Sequence, residues 1–183
     1  MIKESDLKIF SYLPNPRVWK ALIAAEFSGA EIEVVGDKPK NLGKWLWDFN
    51  AEVLPEGARN DDSPHARKGR RGFSGTLFKT DGFLKAHPFG TVPAAFSPDG
   101  AIGIFESNSI LRAAARAGSN KNVLYGKDGF QASRIDSFLD ASLVFAREAQ
   151  VYLLSIESLS QENYDRMQAA YEFYLSGIEA ALE

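Results

Sequence analysis

The opening of the chain carries two apolar blocks of short period around one of helical period. Leu7 to Leu13 reads as a strand, stopped by Pro14-Asn15-Pro16. Val18, Trp19, Leu22, Ile23, Ala25 and Phe27 then recur at helical spacing as far as Ser28-Gly29, and Ile32, Val34 and Val35 read as a second strand. Asn15 before Pro16 is a good helix start. An asparagine side chain accepts from orphan N–H groups, and a proline at the first helical position gives up no bond. Strand, helix and strand at this spacing predict a βαβ unit with a parallel pair and a right-handed crossover.

Between about Gly36 and Thr80 the regularity breaks. Trp45-Leu46-Trp47-Asp48-Phe49 is too aromatic for a plain linker, and the stretch continues through Asn60-Asp61-Asp62-Ser63-Pro64 into the basic run from His65 to Arg71. Connections this long are functional, disordered or hold structure of their own. The pattern here predicts a short apolar helix around Lys44–Ala51 followed by a mobile polar loop.

Asp81 to His87 reads as a short helix closed by Pro88, after which the chain enters a strand at Val92-Pro93. Ser97-Pro98-Asp99-Gly100 suits a reversal, Ile102 and Ile104 alternate as a hairpin partner should, and a helix runs from about Ser107 to Ala117. Gly118 to Asn122 reads as a hinge. Beyond it, Ile135, Phe138, Leu139, Leu143, Phe145 and Ala146 repeat at helical spacing, and a second long amphipathic helix begins at Gln161. The expected organisation is an α/β domain over residues 1–118, with an insertion over about 37–78, and an all-α domain over 119–183.

Composition narrows the chemistry. With 183 residues, of which 45% are hydrophobic, the chain can bury a core as one domain or two small ones. A net charge of −3 gives no overall pull toward nucleic acid or an anionic membrane, and no apolar run approaches the roughly 20 residues that span a bilayer. There is no cysteine, so disulfides, zinc-thiolate sites and protein thiol nucleophiles are excluded. A cytoplasmic protein is expected, and any thiol chemistry must use a thiol brought by a ligand.

The element order, βαβ-α-ββα with a proline opening the third strand, resembles the thioredoxin-like pattern, and with a helical domain after it the chain resembles a cytosolic glutathione transferase. The residues that carry the resemblance are Phe83-Leu84, Pro88-Phe89-Gly90-Thr91-Val92-Pro93, Pro98-Asp99-Gly100 and Phe105-Glu106-Ser107-Asn108-Ser109-Ile110-Leu111. Tyr12-Leu13-Pro14-Asn15-Pro16-Arg17, Lys20 to Ala25, Leu124-Tyr125-Gly126 and Ile135 to Asp140 are similar, within that superfamily, to the transferase-like domain of the gamma subunit of translation elongation factor 1.

The resemblance implies a glutathione site. It implies a cis Val92–Pro93 bond that frees the Val92 N–H and C=O to pair with the ligand backbone like an added strand. Ser107, at a helix N-terminus, and Glu106 before it would take the carboxylate and the ammonium of the γ-glutamyl end. Transferases of this kind stabilise the glutathione thiolate with a group near the end of the first strand, because a hydrogen bond to the thiolate favours the charged form. Tyr12, Asn15, Ser11 and Arg17 are the candidates, and Asn15 has the competing role of a helix cap. The implied function is conjugation of glutathione to a small hydrophobic electrophile, or its use to reduce one, by a homodimer. The alternative is a non-catalytic interaction domain holding a protein partner. Family members continue with further helices, so the helical domain is expected to be partial.

Other features have plainer readings. His65 and His87 are the only histidines and lack an acidic or thiol cluster at ligand spacing, so no metal is expected. The run Arg67-Lys68-Gly69-Arg70-Arg71 could bind RNA or an acidic partner, but a solvated loop facing Asp61 and Asp62 is the better account. Trp45, Trp47 and Phe49 could cap a substrate pocket; pinning the insertion to the domain is the better account.

Overall fold

A computed structural model describes residues 5–70, 72–120 and 124–182. The end of the basic run at Arg71 and the hinge residues Lys121 and Asn122 lie outside the described residues. Contacts divide the chain into two compact units, Met1–Tyr125 and Gly126–Glu183.

The first unit begins with the expected βαβ. β1 (Leu7–Tyr12) runs parallel to β2 (Ile32–Asp37), Leu7 beside Ile32 through Tyr12 beside Asp37, with α1 (Pro16–Ser28) between them. The Asn15 side chain caps α1 by accepting from the Arg17 N–H, and Gly29 ends the helix in the left-handed conformation with its N–H on the Ala25 carbonyl. After the insertion come α2 (Asp81–Ala86), β7 (Ala94–Phe96), β8 (Gly103–Ile104) and α3 (Ser107–Ala117). β7 pairs antiparallel with both β1 and β8, so the sheet order is β2-β1-β7-β8. β7 opens at Ala94, two residues later than the sequence pattern suggests, because Val92 and Pro93 precede the ladder.

The insertion differs from its expectation. Trp45–Trp47 is not helical but forms strand β3, followed by β4 (Glu52–Val53), β5 (Ala66–Lys68) and β6 (Thr76–Lys79). These make a second sheet of order β4-β3-β6-β5, with β3 parallel to β6 and β5 antiparallel to it. The stretch expected as a mobile loop thus holds three of the four strands. Alternation in β1 explains how both layers attach. Leu7 and Ile9 join Ala95, Val18, Ala21, Ala24, Ile110 and Ala114 in a core under α1 and α3. Phe10 points to the opposite face and joins Ala94, Phe96, Leu42, Trp47, Leu77, Phe83 and Val92. The insertion therefore covers the second face of the first sheet. Trp47, fully buried, is its main anchor: its ring meets Phe10 at 5.5 Å and Phe73 at 5.5 Å edge-on, and its indole N–H donates to the Leu42 carbonyl at 3.0 Å.

The second unit is a pair of long helices, α4 (Gly129–Leu154) and α5 (Gln161–Leu182). Asp128 caps α4 by accepting from the N–H groups of Phe130 and Gln131. Phe145 of α4 packs on Tyr171 and Tyr174 of α5 at 4.9 and 5.4 Å, and Arg166 pairs with Glu148. Among the described residues no helix is long and apolar enough to cross a membrane.

Candidate functional site

Strand direction brings the candidate residues to one end of the first sheet. The ladder between β1 and β7 closes at Phe10 beside Ala94, so Ser11 and Tyr12, still paired with β2, run past it at the same end as Val92 and Pro93. β8 pairs antiparallel with β7, Ala95 beside Ile104, so Phe105 and Glu106 leave it there too. Asn15 and Arg17 begin α1 just above. The Val92–Pro93 bond is cis, as the resemblance implies, and the Leu13–Pro14 bond is cis as well. Val92 lies off the end of an inner strand rather than on a sheet edge, and is buried.

Glu106 and Ser107 have an unusual backbone. Glu106 is the only non-glycine among the described residues with positive φ, at 64°. Its ψ of 123° lies outside the left-handed helical well, a placement that costs about 1–3 kcal/mol and is tolerated where surrounding structure enforces it. Glu106 occupies the cap position of α3 but makes no side-chain cap, so Ser107 is the first helical residue and not the cap. Ser107 is 6% exposed. The first turn of α3 thus offers N–H groups that the cap side chain leaves uncovered, a favourable setting for an anion.

The four thiolate-stabilising candidates fall into different settings. Ser11 and Asn15 are both fully buried; the Asn15 amide donates to the Ser11 hydroxyl at 3.0 Å while its oxygen accepts from the Arg17 N–H at 3.0 Å. Both are committed to the turn between β1 and α1. Tyr12 is half-buried against the aromatic core, and Arg17 is exposed.

Two residues near this end of the sheet were not among the site candidates read from the sequence. Lys20, one turn into α1 beyond Arg17, donates from its amine to the Asn108 side-chain oxygen in the first turn of α3. Burial pulls its pKa down to about 8, Arg17 and Arg112 push the same way, and Glu106 opposes them. Lys79 ends β6 of the insertion, where its amine donates to the Gly90 carbonyl at 2.7 Å and lies 4.7 Å over the Trp47 ring. That contact ties the insertion to the loop that delivers Val92 and Pro93. The same loop begins at His87, fully buried, whose ring stacks on Phe83 and Phe105 at 5.8 and 5.2 Å.

No protein-family model matches the chain. Its fold is nevertheless that of the glutathione transferases. A trimeric glutathione transferase of Leishmania superposes with a TM-score of 0.60 at 20% identity over 97% of this chain and 31% of that one. The theta class glutathione S-transferase of Xanthomonas axonopodis pv. citri, solved with glutathione bound, superposes with a TM-score of 0.55 at 19% identity over 97% of this chain and 70% of that one. In sequence the chain is similar to elongation factor 1-gamma proteins: it is 32% identical over 128 residues to elongation factor 1-gamma 2 of Oryza sativa subsp. japonica, 70% of this chain and 22% of that protein. The chain spans less than a quarter of the length of such relatives. Both resemblances read from the sequence thus hold, one in the fold and one in the sequence.

Proposed function

We propose that this chain binds glutathione at the end of its first sheet, with the γ-glutamyl group against Glu106 and Ser107 and the peptide backbone along Val92 and Pro93. One observation carries the reading: a helix N-terminus without a side-chain cap, opened by the positive-φ Glu106 and the largely buried Ser107, converges with a cis-proline loop. The bound structure of the Xanthomonas transferase supports the choice of ligand. Conjugation or reduction of a small hydrophobic electrophile is the activity proposed, with the ligand's thiolate as nucleophile and Tyr12, which is not committed to the Ser11–Asn15 pair, to stabilise it. The proposed setting is a homodimer in the cytoplasm.

A second reading has its own support. Ser11 and Asn15 are consumed by each other and by the helix cap, and the sequence relatives are named as elongation factor subunits. On this reading the chain holds a protein partner and turns nothing over. Calorimetry with glutathione, combined with an aryl-halide conjugation assay, separates the two. Binding with turnover lost in Tyr12→Phe supports the enzyme; binding without turnover supports the interaction domain; absence of binding overturns the glutathione site.

A further inference from the structure

We propose that Lys20 is a specificity-determining residue of this site: its ammonium takes the α-carboxylate of the ligand's amino-acid end while Glu106 takes the α-ammonium, so the pair selects ligands that carry an intact zwitterionic head. The inference rests on the glutathione reading and goes beyond it by naming what the site rejects.

Three observations converge. Lys20 comes from α1 and not from α3, yet its amine lies on Asn108, the residue after Ser107. It is therefore held at the first turn of α3, where the helix N-terminus already favours an anion. The surroundings do not satisfy its charge. Arg17 on its own helix and Arg112 on α3 disfavour the ammonium, Glu106 favours it, and burial outweighs that help, which leaves the pKa near 8. Its hydrogen-bond partner, the Asn108 oxygen, is neutral, and a carboxylate brought by a ligand adds an opposite charge. Glu106, a carboxylate at an anion-favouring helix terminus, is correspondingly suited to an ammonium. Cation and anion at the same helix start match the two charges of an α-amino acid, and a ligand with one of them removed leaves the opposite protein charge unpaired.

The consequence is a proton linkage. The ligand carboxylate binds the charged form of Lys20, so affinity holds while the amine is protonated and falls as pH rises above about 8. Arginine keeps its charge throughout that range.

The test uses three ligands whose thiols are methylated so that thiol titration does not intrude: S-methylglutathione, its analogue lacking the α-carboxylate (4-aminobutyryl in place of γ-glutamyl), and its analogue lacking the α-amino group (glutaryl in its place). Calorimetry on the wild-type chain, Lys20→Met and Lys20→Arg at pH 7 is expected to show Lys20→Met weakening S-methylglutathione by about tenfold or more. The same substitution should change binding of the decarboxylated analogue less than twofold, and Lys20→Arg should restore the loss. In wild type, affinity for S-methylglutathione should fall more steeply above pH 8 than in Lys20→Arg, which retains only the part due to the ligand's own ammonium. Equal losses for carboxylated and decarboxylated ligands, or no loss, overturn the role of Lys20 while leaving the site intact. If Lys20→Met does not fold, coincident pH profiles for wild type and Lys20→Arg overturn it. A wild-type chain that binds none of the ligands overturns the glutathione reading itself, and this inference with it.

Discussion

The side-chain amide of Asn15 donates to the hydroxyl of Ser11 across the turn from β1 to α1, and both residues are sealed from solvent. Two residues that look like ligand groups in the sequence thus form a structural clasp. Asn15→Ala removes the cap of α1, worth about 1 kcal/mol, and strands a buried hydroxyl, worth about 1–3 kcal/mol more. A loss of about 2–4 kcal/mol in urea unfolding is expected. A loss below about 0.5 kcal/mol would show that water replaces the amide and that the clasp is open to ligands after all.

Ser107→Ala deletes one hydroxyl at the first turn of α3 and leaves the helix without any change of cap, since the cap position is Glu106. Glutathione affinity should drop by about tenfold with unfolding stability unchanged within about 0.5 kcal/mol. A stability loss with affinity unchanged, measured by the same two assays, would assign Ser107 to the fold alone.

Burial lowers the pKa of His87, and the nearby Lys79 charge acts in the same direction. Neither ring nitrogen has a hydrogen-bond partner among the described residues. The folded state therefore holds the neutral ring, while the unfolded chain takes up a proton near the ordinary value of about 6.5. Stability from this group is full above that pH and declines as pH falls below it, because the unfolded state then binds more protons. Melting temperatures from pH 7.5 to 5 should fall more steeply in wild type than in His87→Phe, and parallel curves would show that the ring is not the acid-sensitive group.

Gly118 follows α3 with an ordinary φ of −72°, so its lack of a side chain matters for space and not for conformation. A Cβ there would lie 2.0 Å from the Ser28 carbonyl oxygen and 2.7 Å from the Ala30 nitrogen. The ends of α1 and α3 meet at this point, with Ser28 also donating to the Ala114 carbonyl at 2.9 Å. Gly118→Ala should cost about 3 kcal/mol in chemical denaturation, the upper end of the range for overpacking. Gly72→Ala, with nothing within 4 Å of its Cβ but a φ of 91°, offers a contrast in which only conformation is at stake.

Trp47 holds the inserted sheet through aromatic contacts with Phe10, Phe73 and Phe83. Trp47→Ala should cost about 3–5 kcal/mol. Because Lys79 of the same sheet grips Gly90, glutathione affinity should fall along with stability. Hydrogen exchange that shows β6 loosened but residues 88–93 unaffected would separate the two.

The parts of the fold that were legible in the sequence are those whose signals are local. Asn15-Pro16 and Gly29 mark both ends of α1, and the acid-serine pair marks the start of α3 at Ser107. Glu106, Ser107, Val92 and Pro93 were legible as a set through a family pattern, and the sheet brings them to one end. The inserted sheet was not legible. A strand of three residues, Trp45–Trp47, is too short to show alternation, and its parallel partner β6 lies some thirty residues away, so nothing local distinguishes it from a helical turn. The link of Lys20 to the start of α3 was hidden for the same reason: its partner Asn108 is 88 residues distant. The pairing of Ser11 with Asn15 was closer to hand. Two short polar residues four apart around Pro14, the second already assigned as a cap, leave the amide of Asn15 free to turn back to the strand.

The grip of Lys79 on Gly90 has an optical corollary. The chain has three tryptophans, and Trp47, which lies under the Lys79 amine, is fully buried, whereas Trp19 is half exposed and Trp45 partly so. A cation held 4.7 Å from an indole ring perturbs its excited state, and withdrawal of the amine when the 88–93 loop shifts would change that perturbation. The inserted sheet thereby places an intrinsic fluorophore one side chain away from the loop carrying Val92 and Pro93. Loop motion can be followed in the ultraviolet emission of the unlabelled protein, with the emission of Trp19 quenched selectively by iodide.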